Sequence, residues 1–210
     1  MQHLYAQLPV ADRAEIVVCG GGTAGAFAAI SAAREGCEVL LVEQLGMLGG
    51  SATAALVTPV MHSGIEGDPP CSYISDLVRD RLLARGACGP DGRAFDPLQL
   101  KIVLEELCRE YGVRILYHTF IAQVVAQGAQ VDSIVIANKA GLARVRGGIF
   151  IDCTGDGDVC VYAGAGYTQG APDTGINQPM SLRYIVGGVD MQALRRHFEA
   201  LKQQTGIDNS

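Results

Sequence analysis

Two uninterrupted apolar runs stand near the N-terminus, Ile16-Val17-Val18-Cys19 and Val39-Leu40-Leu41-Val42. Strands covered on both faces read this way, without alternation. Between them, Ala24, Ala28, Ala29, Ala32 and Ala33 predict a closely packed helix over residues 24–35, and Gly36 sits where a left-handed cap would end it. Residues 1–12 read as a short arm, with the first strand opening at Arg13 or Ala14. Further on, Ile74, Leu77, Val78 and Leu82 recur at helical spacing among charges, and residues 85–92 form a turn-rich connector. Asp96-Pro97 opens another helix, the acid as cap and the proline in its first turn. Leu100, Val103, Leu104 and Leu107 share its apolar face, and Gly112 stops it.

Residues 113–116 predict a third buried strand that continues through 121. Three short stretches follow, 122–126, 131–138 and 141–145, with Gly128, Asp132, Asn138 and Gly141 marking turns. They read as an antiparallel meander. One more apolar strand covers 148–153, and a helix starts near 159. At the end of the chain, residues 178–190 read as the opening strand of a second domain, with Asp190 capping a helix over 191–204.

Candidate chemistry begins where the first strand stops. Gly20, Gly22 and Gly25 make G-x-G-x-x-G, enclosing Thr23 and Ala24. In such a turn the first glycine allows the sharp bend, the second lets a pyrophosphate approach the backbone, and the third lets the helix lie close on the sheet. The helix start then offers N–H groups and the positive end of its dipole to phosphates. Glu43 follows Gly25 by 18 residues, close to the ~20 expected of a carboxylate that accepts ribose hydroxyls. Strand, turn, helix and acid together predict an adenine dinucleotide site. Gly49-Gly50-Ser51 either brings amides and a hydroxyl to that cofactor or is a plain flexible loop.

The element order predicts an α/β fold: a Rossmann-like, doubly wound parallel sheet with a three-stranded antiparallel β-meander, of FAD/NAD(P)-binding type. A pure nicotinamide domain would continue as alternating strand and helix, so the meander favours the flavin-binding variant. The nucleotide-binding domain spans 1–167 with an insertion at about 59–96, and a further segment, 168–210, follows it.

Composition narrows the partners. A net charge of −6 argues against nucleic acid as the main partner. The seven cysteines include no C-x-x-C pair, and an odd number in a fold of this kind predicts reduced thiols in the cytoplasm. Residues 44–65 lack charge over a length that would span a bilayer. Their glycines, Pro59, serines and threonines predict a buried loop against a ligand instead, and no membrane span.

On these residues the chain resembles FAD-dependent oxidoreductases of the glutathione-reductase-like class, and in particular the bacterial FAD-dependent oxidoreductase group. Four passages carry the resemblance. They are 20–25, 42–51, 95–121, and Ile151-Asp152-Cys153-Thr154-Gly155-Asp156-Gly157-Asp158. In this class an alanine usually precedes Thr-Gly, and Cys153 stands there as a small replacement. The resemblance implies FAD as cofactor. It places Gly20, Gly22 and Gly25 on the pyrophosphate, Glu43 on the adenosine ribose, and Gly49, Gly50 and Ser51 along the cofactor towards the flavin. Ile121 would offer its backbone to adenine, and Thr154, Gly155 and Asp156 would close the site. Asp156 and Asp158 read equally well as turn acids capping the next helix, and no metal set is identified.

Flavoproteins of this class are generally longer and return after a substrate domain to finish the flavin site. The expectation is therefore an N-terminal piece, or a chain completed by a second one. The predicted activity is transfer of hydride or electrons between flavin and a small organic substrate. An NAD-binding dehydrogenase domain and an inactive nucleotide-binding subunit are the alternatives. No residue is singled out as acid or base; His62, His118, Tyr167 and Arg183 are the polar candidates.

Overall fold

A computed structural model describes residues 2–58, 69–89 and 94–206. His62 and parts of the expected insertion and connector lie outside the described residues. A short helix α1 (Gln2–Tyr5) leads into β1 (Val10–Cys19), α2 (Thr23–Arg34) and β2 (Val39–Val42). Two helices follow, α3 (Pro69–Ala84) and α4 (Pro97–Glu110), then β3 (Arg114–Leu116), β4 (Phe120–Gln127), β5 (Gln130–Asn138) and β6 (Gly141–Asp152). The strands form one sheet in the order β3-β2-β1-β6-β5-β4. β3, β2, β1 and β6 are parallel, while β5 is antiparallel to β4 and β6.

Three boundaries differ from the sequence expectation. β1 starts at Val10, because Val10 and Asp12 already pair with Arg144 and Val145 of β6. The strand expected through 121 breaks at 117–119, where His118 takes a left-handed φ of 51°. And the last meander strand and the strand after it are one element, β6. It is antiparallel to β5 along one edge and parallel to β1 along the other. Gly147 and Gly148, which read as a break, lie inside it. A Cβ on Gly147 would come within 2.8 Å of Val17 Cγ2, and one on Gly148 within 3.1 Å of the Glu15 carbonyl. Their missing side chains let β6 lie close against β1.

Each face of the parallel strands has its own core. On one, Ile16, Val18, Val39 and Leu41 pack with Ala26, Ala29 and Ile30 of α2, Val78 and Leu82 of α3, and Val103, Leu104 and Leu107 of α4. Asp96 caps α4, accepting from the Leu98 and Gln99 N–H groups at 2.7 and 3.4 Å. On the other face, Val17, Cys19, Leu40 and Val42 pack with Val124, Ile134, Ile136 and Val145 of the meander. Val159 of a short helix α5 (Asp158–Tyr162) joins them. The meander therefore covers the face that helices would cover in a purely alternating chain.

Met1–Pro179 and Met180–Ser210 form two compact units. In the second, α6 (Met191–Thr205) begins at Asp190, whose side chain accepts from the Gln192 and Ala193 N–H groups at 3.0 Å. Residues 178–190 form no strand, and α6 has no buried residue.

Candidate nucleotide-binding groove

The groove opens at the C-terminal ends of β1, β2 and β6, where Gly20 leaves β1 with φ +97°. Its N–H donates to the Val42 carbonyl at 2.8 Å, and a Cβ here would stand 2.3 Å from the Cys153 carbonyl oxygen. Gly25 is tighter still, since its Cβ would lie 1.7 Å from the Gly20 carbonyl oxygen. Gly22 behaves differently. A Cβ on it would meet nothing within 4 Å, so its bare backbone faces open space. Gly22 is also the N-cap of α2 and supplies no side-chain cap. The first N–H groups of a helix have no intrahelical partner, which leaves this end suited to an anion.

The following loop is zipped onto this turn. Gly49 bridges to Gly22 in parallel, its N–H donates to the Gly21 carbonyl at 2.9 Å, and its carbonyl accepts from the Thr23 hydroxyl at 3.2 Å. A Cβ on Gly50 would fall 2.9 Å from Gly22 Cα. Gly49-Gly50-Ser51 is thus packed on the turn, with Gly50 and Ser51 lining the groove.

Glu43 is 6% exposed. One carboxylate oxygen accepts the Gly21 N–H at 2.5 Å and the other the Leu45 N–H at 2.6 Å. A buried carboxylate needs such donors, and these tie the glycine turn to the end of β2. Each oxygen keeps lone-pair capacity for a further donor.

The far wall follows β6. The Cys153 N–H donates to the Cys19 carbonyl at 2.8 Å. Asp152 then accepts the Thr154 N–H at 3.1 Å and its hydroxyl at 2.8 Å on one oxygen, and the Cys160 N–H at 2.9 Å on the other. Burial raises the Asp152 pKa, but these hydrogen bonds outweigh it and hold the carboxyl below its ordinary value. The nearby thiols move the other way. Burial pushes Cys19 up strongly and, together with the Asp152 charge, raises Cys153. A hydrogen bond with Asp152 raises Cys160. All three stay protonated near neutral pH.

The resulting groove has a volume of about 490 Å³. It brings together Gly20, Gly22, Thr23, Ala24, Glu43, Gly50, Ser51, Ile121, Thr154 and Gly155. Gly25 and Gly49 are buried behind its wall, and Asp156 is exposed and outside the lining. Neither acid is the cap of α5, because the N-cap is Gly157 and Asp158 is the first helical residue. Gln44, Leu45, Thr119, Phe120, Cys153 and Asp158 also line the groove. Gln44 and Leu45 carried one usable signal, their place directly after the acid; Thr119 and Phe120 were hidden in a run read as strand. Among the polar candidates, the His118 ring packs on Gly46, and the His118 backbone N–H donates to the Leu45 carbonyl at 3.2 Å. Tyr167 and Arg183 are exposed.

The family model described as FAD dependent oxidoreductase matches residues 15–210. The chain belongs to the FAD-dependent oxidoreductase family. A curated relative, digeranylgeranylglycerophospholipid reductase 2 of Methanopyrus kandleri, is 29% identical over 135 residues. That match covers 63% of this chain and 31% of the relative. Among solved structures, a flavoprotein/dehydrogenase from Cytophaga hutchinsonii aligns with a TM-score of 0.56 at 17% identity, over 76% of this chain and 44% of that one. A geranylgeranyl bacteriochlorophyll reductase-like protein from Thermoplasma acidophilum gives 0.53 at 17%, over 73% and 42%. These two likenesses concern the fold. The chain thus spans about a third of the curated relative and under half of these two solved chains.

FAD is the cofactor of this family, and the groove fits it. The uncapped start of α2, the open space before Gly22, and a buried carboxylate with spare acceptor capacity suit the pyrophosphate and ribose of a dinucleotide. Among the described residues no helix is long and apolar enough to cross a membrane.

Proposed function

We propose that this chain binds FAD along the groove and forms the nucleotide-binding part of a cytoplasmic oxidoreductase acting on a small organic substrate. Gly22 carries the reading. It is the one glycine of the motif whose missing side chain serves no contact among the described residues, so a ligand is what needs the space. The N–H groups at the start of α2 bind the pyrophosphate, and Glu43 accepts ribose hydroxyls with its remaining lone pairs. Ile121 presents backbone to adenine. Ser51 and Gly50 lie along the cofactor, and Thr154 and Gly155 close the opposite side. Bound flavin supplies the hydride or electron transfer, while the protein contributes position and electrostatics.

Residues 168–210 open a second, substrate-facing domain in this reading, completed by further polypeptide or by a second chain. The exposed apolar side chains of Met180, Leu182, Tyr184 and Ile185 and the greater length of the relatives support it.

The deciding experiment is a visible spectrum of the purified chain after incubation with FAD and gel filtration. Retained flavin bands are expected. A chain folded by circular dichroism that keeps no flavin would overturn the assignment of the groove to this chain alone.

A further inference from the structure

We propose that Asp152 is the positioning residue of the groove's far wall, setting Thr154 and Gly155 against the bound dinucleotide. The inference rests on the FAD reading above. Asp152 is the last residue of β6 and is partly buried. Its side chain does not reach the groove lining; Cys153, Thr154 and Gly155 do.

The start of the turn between β6 and α5 is held by the Cys153 N–H bond to the Cys19 carbonyl and by close packing on Gly20. Gly155 and Gly157 both adopt positive φ, +94° and +73°, and a Cβ on either would find no neighbour within 4 Å. Gly157 is the N-cap of α5 and offers no side-chain cap. Side-chain packing at these two glycines therefore does not fix the shape of the turn. The carboxylate selects one. A single side chain receives the N–H and hydroxyl of Thr154 and the N–H of Cys160, so it spans the turn from β6 into α5. The Thr154 hydroxyl, oriented by Asp152, accepts the Asp158 N–H at 2.9 Å and supplies the cap that Gly157 lacks. These donors, with the Cys160 thiol as a further one, make charge-assisted bonds, which are stronger than neutral ones, and their joint loss would release the turn.

Asparagine at 152 keeps one acceptor oxygen but turns an NH₂ group towards a donor. Valine at 154 removes the hydroxyl at constant shape, and serine retains it. The test measures FAD dissociation constants by flavin fluorescence for the wild-type chain, Asp152→Asn, Thr154→Val, the double variant and Thr154→Ser. Amide hydrogen exchange is followed in the absence of FAD. Asp152→Asn is expected to weaken FAD about tenfold or more and to speed exchange over 153–160, with β1 and β2 still protected. Thr154→Val should act in the same direction. The double variant should be no weaker than the worse single, as for residues working through one network, and Thr154→Ser, which keeps the hydroxyl, should bind FAD more tightly than Thr154→Val and exchange over 153–160 more slowly than it does. Wild-type affinity in Asp152→Asn, or full additivity in the double variant, overturns this inference alone. Failure of the wild-type chain to take up FAD overturns the binding reading and this inference with it.

Discussion

Gly22 and Gly25 belong to one motif yet answer to different demands, and substitution separates them. Alanine at 25 would drive a Cβ to 1.7 Å from a backbone oxygen, so loss of folded protein or destabilisation of roughly 1–3 kcal/mol or more is expected in a melting experiment. Alanine at 22 is compatible with its φ of −61° and strikes nothing. Its stability should stay within about 0.5 kcal/mol of wild type while FAD affinity falls at least tenfold by titration. Glu43→Gln should change both quantities, because one of two backbone N–H groups would then face an NH₂; a stability loss of roughly 1–3 kcal/mol is expected. Asp152 gives a pH signature. Its folded pKa is lowered, so the unfolded chain binds the proton more readily. The stability it contributes is full above the unfolded value of about 3.9 and is lost as pH falls through the lower folded one. Thermal midpoints of Asp152→Asn should accordingly depend less on pH over that acid range than those of the wild type.

At the scale of elements, α4 tests how separable the fold is from the site. Asp96→Ala removes a side-chain cap at the helix start and should cost about 1 kcal/mol, read as a lower melting temperature. FAD affinity should change little, because no residue of α4 lines the groove. Helices such as α4 were legible from spacing and caps because their signals are local. The strands β1 and β2 were legible for the same reason, as unbroken apolar runs. β6 was not. Two adjacent glycines look like punctuation until a neighbouring strand needs their space, and that neighbour is more than 120 residues away in the chain. The break at His118 was equally silent, since no glycine or proline announces a left-handed residue there.

For the whole molecule, the exposed apolar side chains of residues 180–201 dominate the expected behaviour. Met180 is 100% and Leu182 88% exposed, and α6 adds Met191 and Phe198. Apolar surface of this kind drives association. Sedimentation velocity should show mass rising with protein concentration, and Leu182→Lys with Phe198→Glu should reduce that rise. FAD retention should not change, because every groove-lining residue falls between 20 and 158.

Sequence alone determined the glycine turn, the acid at the end of β2, helices such as α2 and α4, and the meander's presence, because each is written in residues close together along the chain. Most of the groove could be listed from those motifs. Tertiary structure alone decided which listed residues face the groove and which support it from behind. It showed Gly25 and Gly49 buried, Asp156 turned outward, and Glu43 bound to two backbone amides. It also brought the Thr154 and Cys160 N–H groups onto Asp152 and made one strand of the two expected. These outcomes depend on distances between segments remote in sequence, and a steric or hydrogen-bonding demand across such a gap leaves no periodicity to read.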